Sequence, residues 1–251
     1  MKHLITSIFL AGILAFPSCN TGYHVVSAEG ERLAVTAVFD KEPDMTATEI
    51  LKPYKEKVDS VMSPIIGYAA NRLTSYRPES PLSNLIADIL RQSAKQRLGF
   101  EPEIGIINMG GIRSILNEGE ITIGDIYEIS PFQNTLSVVD LKGDAVLELF
   151  SQIAAVHGEG ISGAKLQISK DGKLLDATIG GKPVDPKKTY RIATIDYIAE
   201  GNDHMEAFKK ASAKTQPSNA VLRDLFIEYV RANEHAGRFI NAKTEGRIVE
   251  K

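Results

Sequence analysis

The sequence predicts a mixed α/β domain of the α+β class, in which helices flank sheets containing both parallel and antiparallel strands. Apolar residues recur at helical spacing in several segments, and short β-rich runs alternate with those segments. An Asp171-Gly172 pair between two apolar runs predicts a two-residue hairpin turn, which joins antiparallel strands. The length of 251 residues, with 43% hydrophobic and 24% charged residues, is typical of a globular chain of one large domain.

The N-terminus is predicted to be a signal peptide, residues 1–18. Its apolar run, residues 4–16, spans roughly 20 Å as a helix, less than the roughly 30 Å of a bilayer core, and this length is typical of a secretory signal. The only cysteine, Cys19, stands where the spacing resembles the lipobox of a bacterial lipoprotein. On this interpretation Cys19 is lipidated and anchors an exported protein to a membrane of the cell envelope, on its periplasmic or outer-membrane face. The alternative is a plain secreted protein with an incidental thiol.

Residues 19–44 are predicted to form a tether that ends in a short strand, "RLAVTAVFD", at 32–40. The domain proper is predicted over residues 45–251. Its first helix has apolar spacing up to Met62, with Thr46 or Thr48 as the N-cap and Pro53 in the first turn.

The remaining elements follow in order. A helix is predicted over 79–99 with Gly99 as its stop, then a buried strand at 103–108, and then a short helix or turn at 121–130 that Thr122 could cap. A strand at 134–141 and a helix ending near Gly158 come next. The last predicted elements are the hairpin around Asp171-Gly172, a strand over 189–199 and a closing helix over 219–233.

Composition excludes several function classes. A net charge of -3 and a pI near 6.0 give no electrostatic basis for nucleic acid as a partner. The five histidines are isolated, and no HExxH, paired-cysteine, Walker or GxSxG motif is present. The segment 201–208, "GNDHMEAF", supplies at most three metal ligands, whereas a dinuclear phosphoesterase centre takes about half a dozen. We therefore predict no metal site and no catalytic residue in this chain.

The stretch "NMGGIR", residues 108–113, is the first candidate site. A glycine pair allows a ligand to approach the backbone, and Arg113 offers a planar donor fork suited to phosphate. Taken alone, the stretch is equally consistent with a sharp turn followed by a surface arginine.

Four stretches of the sequence bear on the choice between a turn and a ligand site. They are "YRPESPLSNLIADIL" (76–90), "NMGGIR" (108–113), "ITIGDIYEISPFQNTL" (121–136) and "TYRIATIDYIAEGNDH" (189–204). In this order they resemble the C-terminal, substrate-binding domain of the 5'-nucleotidase / UDP-sugar hydrolase / 2',3'-cyclic phosphodiesterase family. The resemblance covers roughly residues 55–250. It implies the fold of that domain and a nucleotide or nucleoside as the ligand.

The resemblance also implies a role for each matching residue. Asn108 and the Gly110-Gly111 backbone would line the pocket, and Arg113 would meet phosphate or ribose. Phe132 and Tyr197 would clamp the base, with Asn134 beside Phe132, and Asp203 would accept hydrogen bonds from ribose hydroxyls. Arg77 lies near an upstream phosphate arginine of the family, with Arg72 as the alternative. The family's "GGDG" is "GNDH" here, so Asn202 and His204 replace glycines and the loop either keeps its course or changes shape.

In full-length family members a metallophosphatase domain precedes this domain and holds two metals. No such stretch precedes the resemblance here. We therefore expect the nucleotide-recognition subunit of a split exported phosphohydrolase, which needs no cofactor of its own and is inactive alone. A separate metallophosphatase would bring the divalent metals. The alternatives are a stand-alone nucleoside-binding lipoprotein and an independent hydrolase.

Overall fold

The computed structural model describes residues 25–251, which fall into two compact units, one ending at Leu51 and the other comprising Lys52–Lys251. The boundary between the two units lies within the first helix, α1 (Met45–Met62). In the first unit, residues 25–36 have no regular structure and Phe39–Lys41 form a single 3-10 turn. The strand predicted at 32–40 is therefore wrong. Its side chains are exposed and no described strand pairs with it, so its β propensity has no ladder to join.

Helix α1 begins earlier than predicted, and the predicted cap is wrong. The Asp44 carboxylate accepts a hydrogen bond from the Ala47 N–H at 3.0 Å, and the Asp44 carbonyl accepts one from the Thr48 N–H at 2.9 Å. Asp44 thus takes the capping role expected of Thr46 or Thr48. Pro53 consequently lies inside the helix and not in its first turn.

The second unit is built around a five-stranded sheet of order β10-β4-β9-β2-β5. Strand β2 pairs parallel with β9, whereas the β4–β9 and β2–β5 pairs are antiparallel, so the predicted mixed sheet is confirmed. These strands are β2 (Ile104–Ile107), β4 (Leu136–Lys142), β5 (Gly160–Ser162), β9 (Thr189–Ile195) and β10 (Ala213–Thr215). Two smaller sheets pair β1 (Ile65–Ala69) with β3 (Gly119–Thr122), and place β11 (Ile248–Glu250), β6 (Ala164–Ile168), β7 (Leu174–Ile179) and β8 (Lys182–Pro183) side by side.

The second unit contains five further helices, and the sequence predicted most of them. They are α2 (Pro81–Leu98), α3 (Ile123–Ile129), α4 (Gly143–Ala155), α5 (Asp196–Ala199) and α6 (Leu222–His235). Helix α2 starts at the Ser80 cap and ends at Gly99, whose φ of 77° is left-handed. Thr122 caps α3 in a reciprocal capping box with Asp125. The buried apolar faces of these helices and the inner strands form one continuous core.

Two details differ from the predictions. The predicted hairpin joins β6 to β7, but its connection runs over residues 169–173 and closes with a bond from the Ser169 N–H to the Lys173 carbonyl, so it is longer than two residues. The two-residue turn is instead Gly180-Gly181, where both φ values are positive as a type I′ turn requires. The strand predicted over 189–199 ends at Ile195, and α5 follows it directly.

Candidate functional site

The topology of the large sheet brings three chain segments to one edge. Strands β2 and β9 run parallel, so the residues after Ile107 and after Ile195 emerge at the same edge. Strand β4 is antiparallel to β9, with Leu136 opposite Ile195, so the residues before β4 lie at that edge too. Ligands of open α/β sheets commonly bind outside the carboxyl ends of the strands. The candidate stretches 108–113, 132–134 and 195–203 therefore meet because of the strand order.

The loop after β2 is short and sterically constrained. Asn108 follows the strand directly, Met109–Gly111 form a 3-10 turn, and the Gly111 N–H donates back to the Asn108 carbonyl at 3.1 Å. A Cβ on Gly111 would stand 2.8 Å from the Asn108 Oδ1, closer than real Cβ atoms come. A Cβ on Gly110 would meet Asp203 at an ordinary 3.5 Å. The glycine at 111 is therefore required by the Asn108 side chain, a reason that the sequence did not reveal.

Asp203 joins the loop to the segment after β9. Its carboxylate accepts hydrogen bonds from the Asn108 amide at 2.5 Å and from the Tyr197 hydroxyl at 2.9 Å. A carboxylate only accepts, so the Asn108 amide nitrogen faces Asp203 and its oxygen points away. That oxygen is buried and has no hydrogen-bond partner among the described residues. The hydrogen bond to Asp203 raises the pKa of the Tyr197 hydroxyl, because losing its proton would place two negative charges together.

The altered "GNDH" loop adopts left-handed backbone at three of its four residues. Gly201, Asp203 and His204 have φ values of 86°, 53° and 63°. Asn202 has no positive φ, and its side chain instead donates to the Tyr197 carbonyl at 2.7 Å. The loop therefore places His204, a residue with a Cβ, in a backbone conformation that favours glycine. The Asn202 side chain holds the backbone of Tyr197 through its carbonyl.

Phe132 and Tyr197 are surface aromatics rather than core residues, being 47% and 43% exposed. With the other residues they line a cavity of about 410 Å³. Its lining comprises every predicted site residue except Arg77, together with Ile195: Asn108, Gly110, Gly111, Arg113, Phe132, Asn134, Ile195, Tyr197 and Asp203. Ile195 was not predicted because an apolar residue at a strand end gives no sequence signal for a ligand site.

Arg113 contributes a cation to the lining of this cavity. Within residues 25–251 its guanidinium makes a single hydrogen bond, from Nη1 to the Gly110 carbonyl at 3.1 Å, while the group carries five N–H donors. The side chain is exposed. The cavity thus combines two aromatic faces, one carboxylate that accepts hydrogen bonds, and one cation that is suited to an anionic group.

Comparison with known proteins identifies the domain. The family described as "5'-nucleotidase, C-terminal domain" matches residues 64–210. The chain belongs to this family. A 5'-nucleotidase of Vibrio cholerae is 30% identical over 189 residues, which are 71% of this chain and 33% of that protein. Endonuclease YhcR of Bacillus subtilis is 35% identical over 166 residues, 63% of this chain and 13% of that protein.

A solved structure agrees with the family. The 5'-nucleotidase precursor of Thermus thermophilus superimposes with a TM-score of 0.71 and is 28% identical, covering 82% of this chain and 43% of that one. The chain therefore spans less than half the length of each of these relatives. The match to the family confirms both the resemblance and the fold predicted from the sequence.

Arg77 lies outside the cavity of this 5'-nucleotidase C-terminal domain. Its Nη2 donates to the Glu159 carboxylate at 2.5 Å, and its Nε donates to the Gly158 carbonyl at 2.7 Å. Glu159 in turn accepts a hydrogen bond from the Met109 N–H, on the inner side of the loop that lines the cavity. The contact of Arg77 with a ligand remains a prediction. Glu159 is a residue that sequence reasoning missed, because no motif marks it.

The signal peptide and Cys19 lie outside the described residues. Among residues 25–251, no helix is long and apolar enough to cross a membrane. In that same part of the chain, no group of three or more His, Cys, Asp or Glu side chains is arranged to hold a metal ion.

Proposed function

We propose that this chain recognises a nucleotide or nucleoside in the cavity at the edge of its large sheet. It would serve a split, exported 5'-nucleotidase-type phosphohydrolase whose metals are carried by a separate metallophosphatase. One observation carries the proposal: two exposed aromatic side chains, a carboxylate and an arginine converge on one cavity in a domain of the 5'-nucleotidase family. The cavity lies within the size range of small-molecule sites, about 300–1,000 Å³.

Each part of a nucleotide has a matching group in the cavity. A base stacks on aromatic rings with a gain of about 1–3 kcal/mol per base, which the exposed faces of Phe132 and Tyr197 can provide. The Asp203 carboxylate has about four acceptor sites and accepts one hydrogen bond at each oxygen from the described residues, so it can also accept hydrogen bonds from ribose hydroxyls. Arg113 pairs with a phosphate. Hydrolysis then requires metals that bind and activate water, which we assign to the partner protein.

Calorimetric titration of the full chain with AMP and with adenosine tests the recognition step. Phe132→Ala should weaken the binding of both ligands by about 1–3 kcal/mol, roughly 5- to 150-fold. Arg113→Ala should weaken AMP more than adenosine, because only AMP carries the phosphate. The matched control is Phe239→Ala, since Phe239 is also an exposed phenylalanine but lies outside the cavity lining. Equal losses in the Phe132 and Phe239 variants would contradict recognition in this cavity.

A separate assay tests the split arrangement. The purified chain should release no phosphate from AMP in the presence of Mn²⁺, and a solitary metallophosphatase should gain activity when the chain is added. Turnover by the purified chain alone that Arg113→Ala abolishes would overturn the split arrangement and favour an independent hydrolase. Tight nucleoside binding with no effect on any metallophosphatase would favour the stand-alone binding protein.

We also propose that the protein is exported and lipid-anchored through Cys19. The support is the N-terminal pattern of a short apolar run followed by this single cysteine. Metabolic labelling with palmitate in a bacterial host should label the wild type and not Cys19→Ser. Labelling of both proteins, or of neither, would contradict the proposed anchor.

A further inference from the structure

Glu159 is a buried carboxylate directly behind the cavity loop. It stands next to β5, and the last residue pair of the β2–β5 ladder is Ile107 with Gly160. Its carboxylate therefore reaches the loop just where the backbone ladder ends. The preceding Gly158 has a φ of 113°, and a Cβ there would lie 2.2 Å from the Pro78 carbonyl oxygen, so only glycine lets the chain turn inward at this point.

The two carboxylate oxygens of Glu159 have separate partners. Oε2 accepts the hydrogen bond from the Met109 N–H, and Oε1 accepts the one from Arg77. Met109 lies between Asn108 and Gly110, both of which line the cavity, and Asn108 in turn holds Asp203. A continuous path of contacts therefore runs from the buried carboxylate to the group that would meet the ribose.

Burial of the Glu159 carboxylate is unfavourable for the stability of the domain. Its side chain is only 3% exposed, and burial raises its pKa, although the Met109 N–H and the Arg77 charge act in the opposite direction. The Arg77 side chain is 41% exposed, so solvent screens its charge, and its ion pair with Glu159 contributes little to the stability of the domain. The contacts of Glu159 therefore fit a role in holding the loop in place, rather than a role in stabilising the whole domain.

We propose that Glu159 is a positioning residue: its carboxylate fixes the backbone of the 108–113 loop through the Met109 N–H, and so sets the affinity of the cavity for its nucleoside or nucleotide. The inference rests on the proposed function for the identity of the ligand. It assigns no contact between Glu159 and the ligand, since the carboxylate lies on the inner side of the loop.

The test compares two buried glutamates in the full chain. Glu159→Gln keeps the shape, but a glutamine offers one acceptor oxygen where two donors, Met109 N–H and Arg77, need one each. Glu79→Gln is the matched control. Glu79 is 6% exposed and also accepts backbone N–H bonds, but from Glu245 and Arg247, outside the cavity lining. For each variant we would measure the AMP dissociation constant, urea unfolding, and amide hydrogen exchange at Met109.

We expect Glu159→Gln to weaken AMP binding roughly tenfold and to speed exchange of the Met109 amide in the ligand-free protein. Glu79→Gln should leave both unchanged, whatever its effect on unfolding. If Glu159→Gln does not fold, Glu159→Asp, which keeps the charge but shortens the reach, should show the same two effects.

The outcomes separate the two proposals. Unchanged AMP affinity and unchanged Met109 exchange in the Glu159 variants would overturn the positioning role and leave the proposed function standing. Equal losses of affinity in the Glu159 and Glu79 variants would also overturn it, because general destabilisation would then explain them. Failure of the wild type to bind AMP or adenosine would overturn the proposed function instead. In that case, faster exchange of the Met109 amide in Glu159→Gln would still support the conclusion that Glu159 fixes the backbone of the 108–113 loop.

Discussion

Gly111→Ala is the sharpest test of the loop geometry. The added Cβ would lie 2.8 Å from the Asn108 Oδ1, and ordinary contact begins at 3.4 Å, so one of the two must retreat by about 0.6 Å (3.4 minus 2.8). Asn108 is 4% exposed and its amide is a rigid plane, so it cannot move without disturbing the bond to Asp203. The substitution should therefore act mainly through that hydrogen bond.

The size of the effect follows from the bond that is lost. A hydrogen bond to a charged group contributes about 1.5–3 kcal/mol to stability. Urea unfolding of Gly111→Ala should show a loss of this size, which corresponds to a fall in Tm of roughly 3–12 °C for a domain of this length. Gly110→Ala is the control, because its Cβ would stand 3.5 Å from the Asp203 carboxylate, an ordinary contact. It should cost much less than Gly111→Ala.

A double-mutant cycle decides whether the reasoning is right. In an Asn108→Ala background there is no amide for the new methyl group to displace, so Gly111→Ala should cost less than about 0.5 kcal/mol there. If its cost in that background equals its cost in the wild type, the clash with Asn108 is not the cause. An equal loss in Gly110→Ala would refute the argument in the same way.

Three further predictions concern strain, charge and packing. His204→Gly should leave the free energy of unfolding unchanged or raise it by up to about 1 kcal/mol, because the relief of left-handed strain at φ 63° offsets or exceeds the added entropy of the unfolded chain. His204→Val should lower the free energy of unfolding. Equal Tm values for the two variants would refute this prediction. The pKa of Glu159 is raised in the folded protein, so the folded state binds the carboxyl proton more tightly than the unfolded chain does. The contribution of Glu159 to stability therefore falls as the pH rises from about 4.5, its ordinary pKa, through the raised pKa of the folded state. The difference between wild-type and Glu159→Gln unfolding free energies should show this slope, and a flat difference would contradict it. Gly143→Ala would put a Cβ 1.9 Å from the Asp185 carbonyl oxygen and should cost at least about 2 kcal/mol in urea unfolding, whereas Gly124→Ala, with its nearest contact at 3.3 Å, should cost clearly less.

Local signals explain what could be predicted. The Ser80 cap, the left-handed Gly99 and the Thr122–Asp125 capping box are decided within a few residues. The sequence therefore located α2 correctly, and it placed a Thr122-capped short helix or turn where α3 lies. The same holds for most of the cavity lining, where short motifs in a fixed order carried the resemblance. The segment 32–40 failed for the opposite reason. Its β-rich composition is local, but a strand also needs a partner, which composition does not provide.

The sequence by itself determined the fold class, the family and eight of the nine residues that line the cavity. Only the tertiary structure decided that Arg77 pairs with Glu159, a residue 82 positions away, and that Glu159 reaches the Met109 N–H across 50 positions. It alone decided that Asp203 is the junction between Asn108 and Tyr197. The reason is physical. Helix caps and turns are fixed by neighbouring residues, whereas a buried carboxylate finds its donors only when distant strands have been brought side by side.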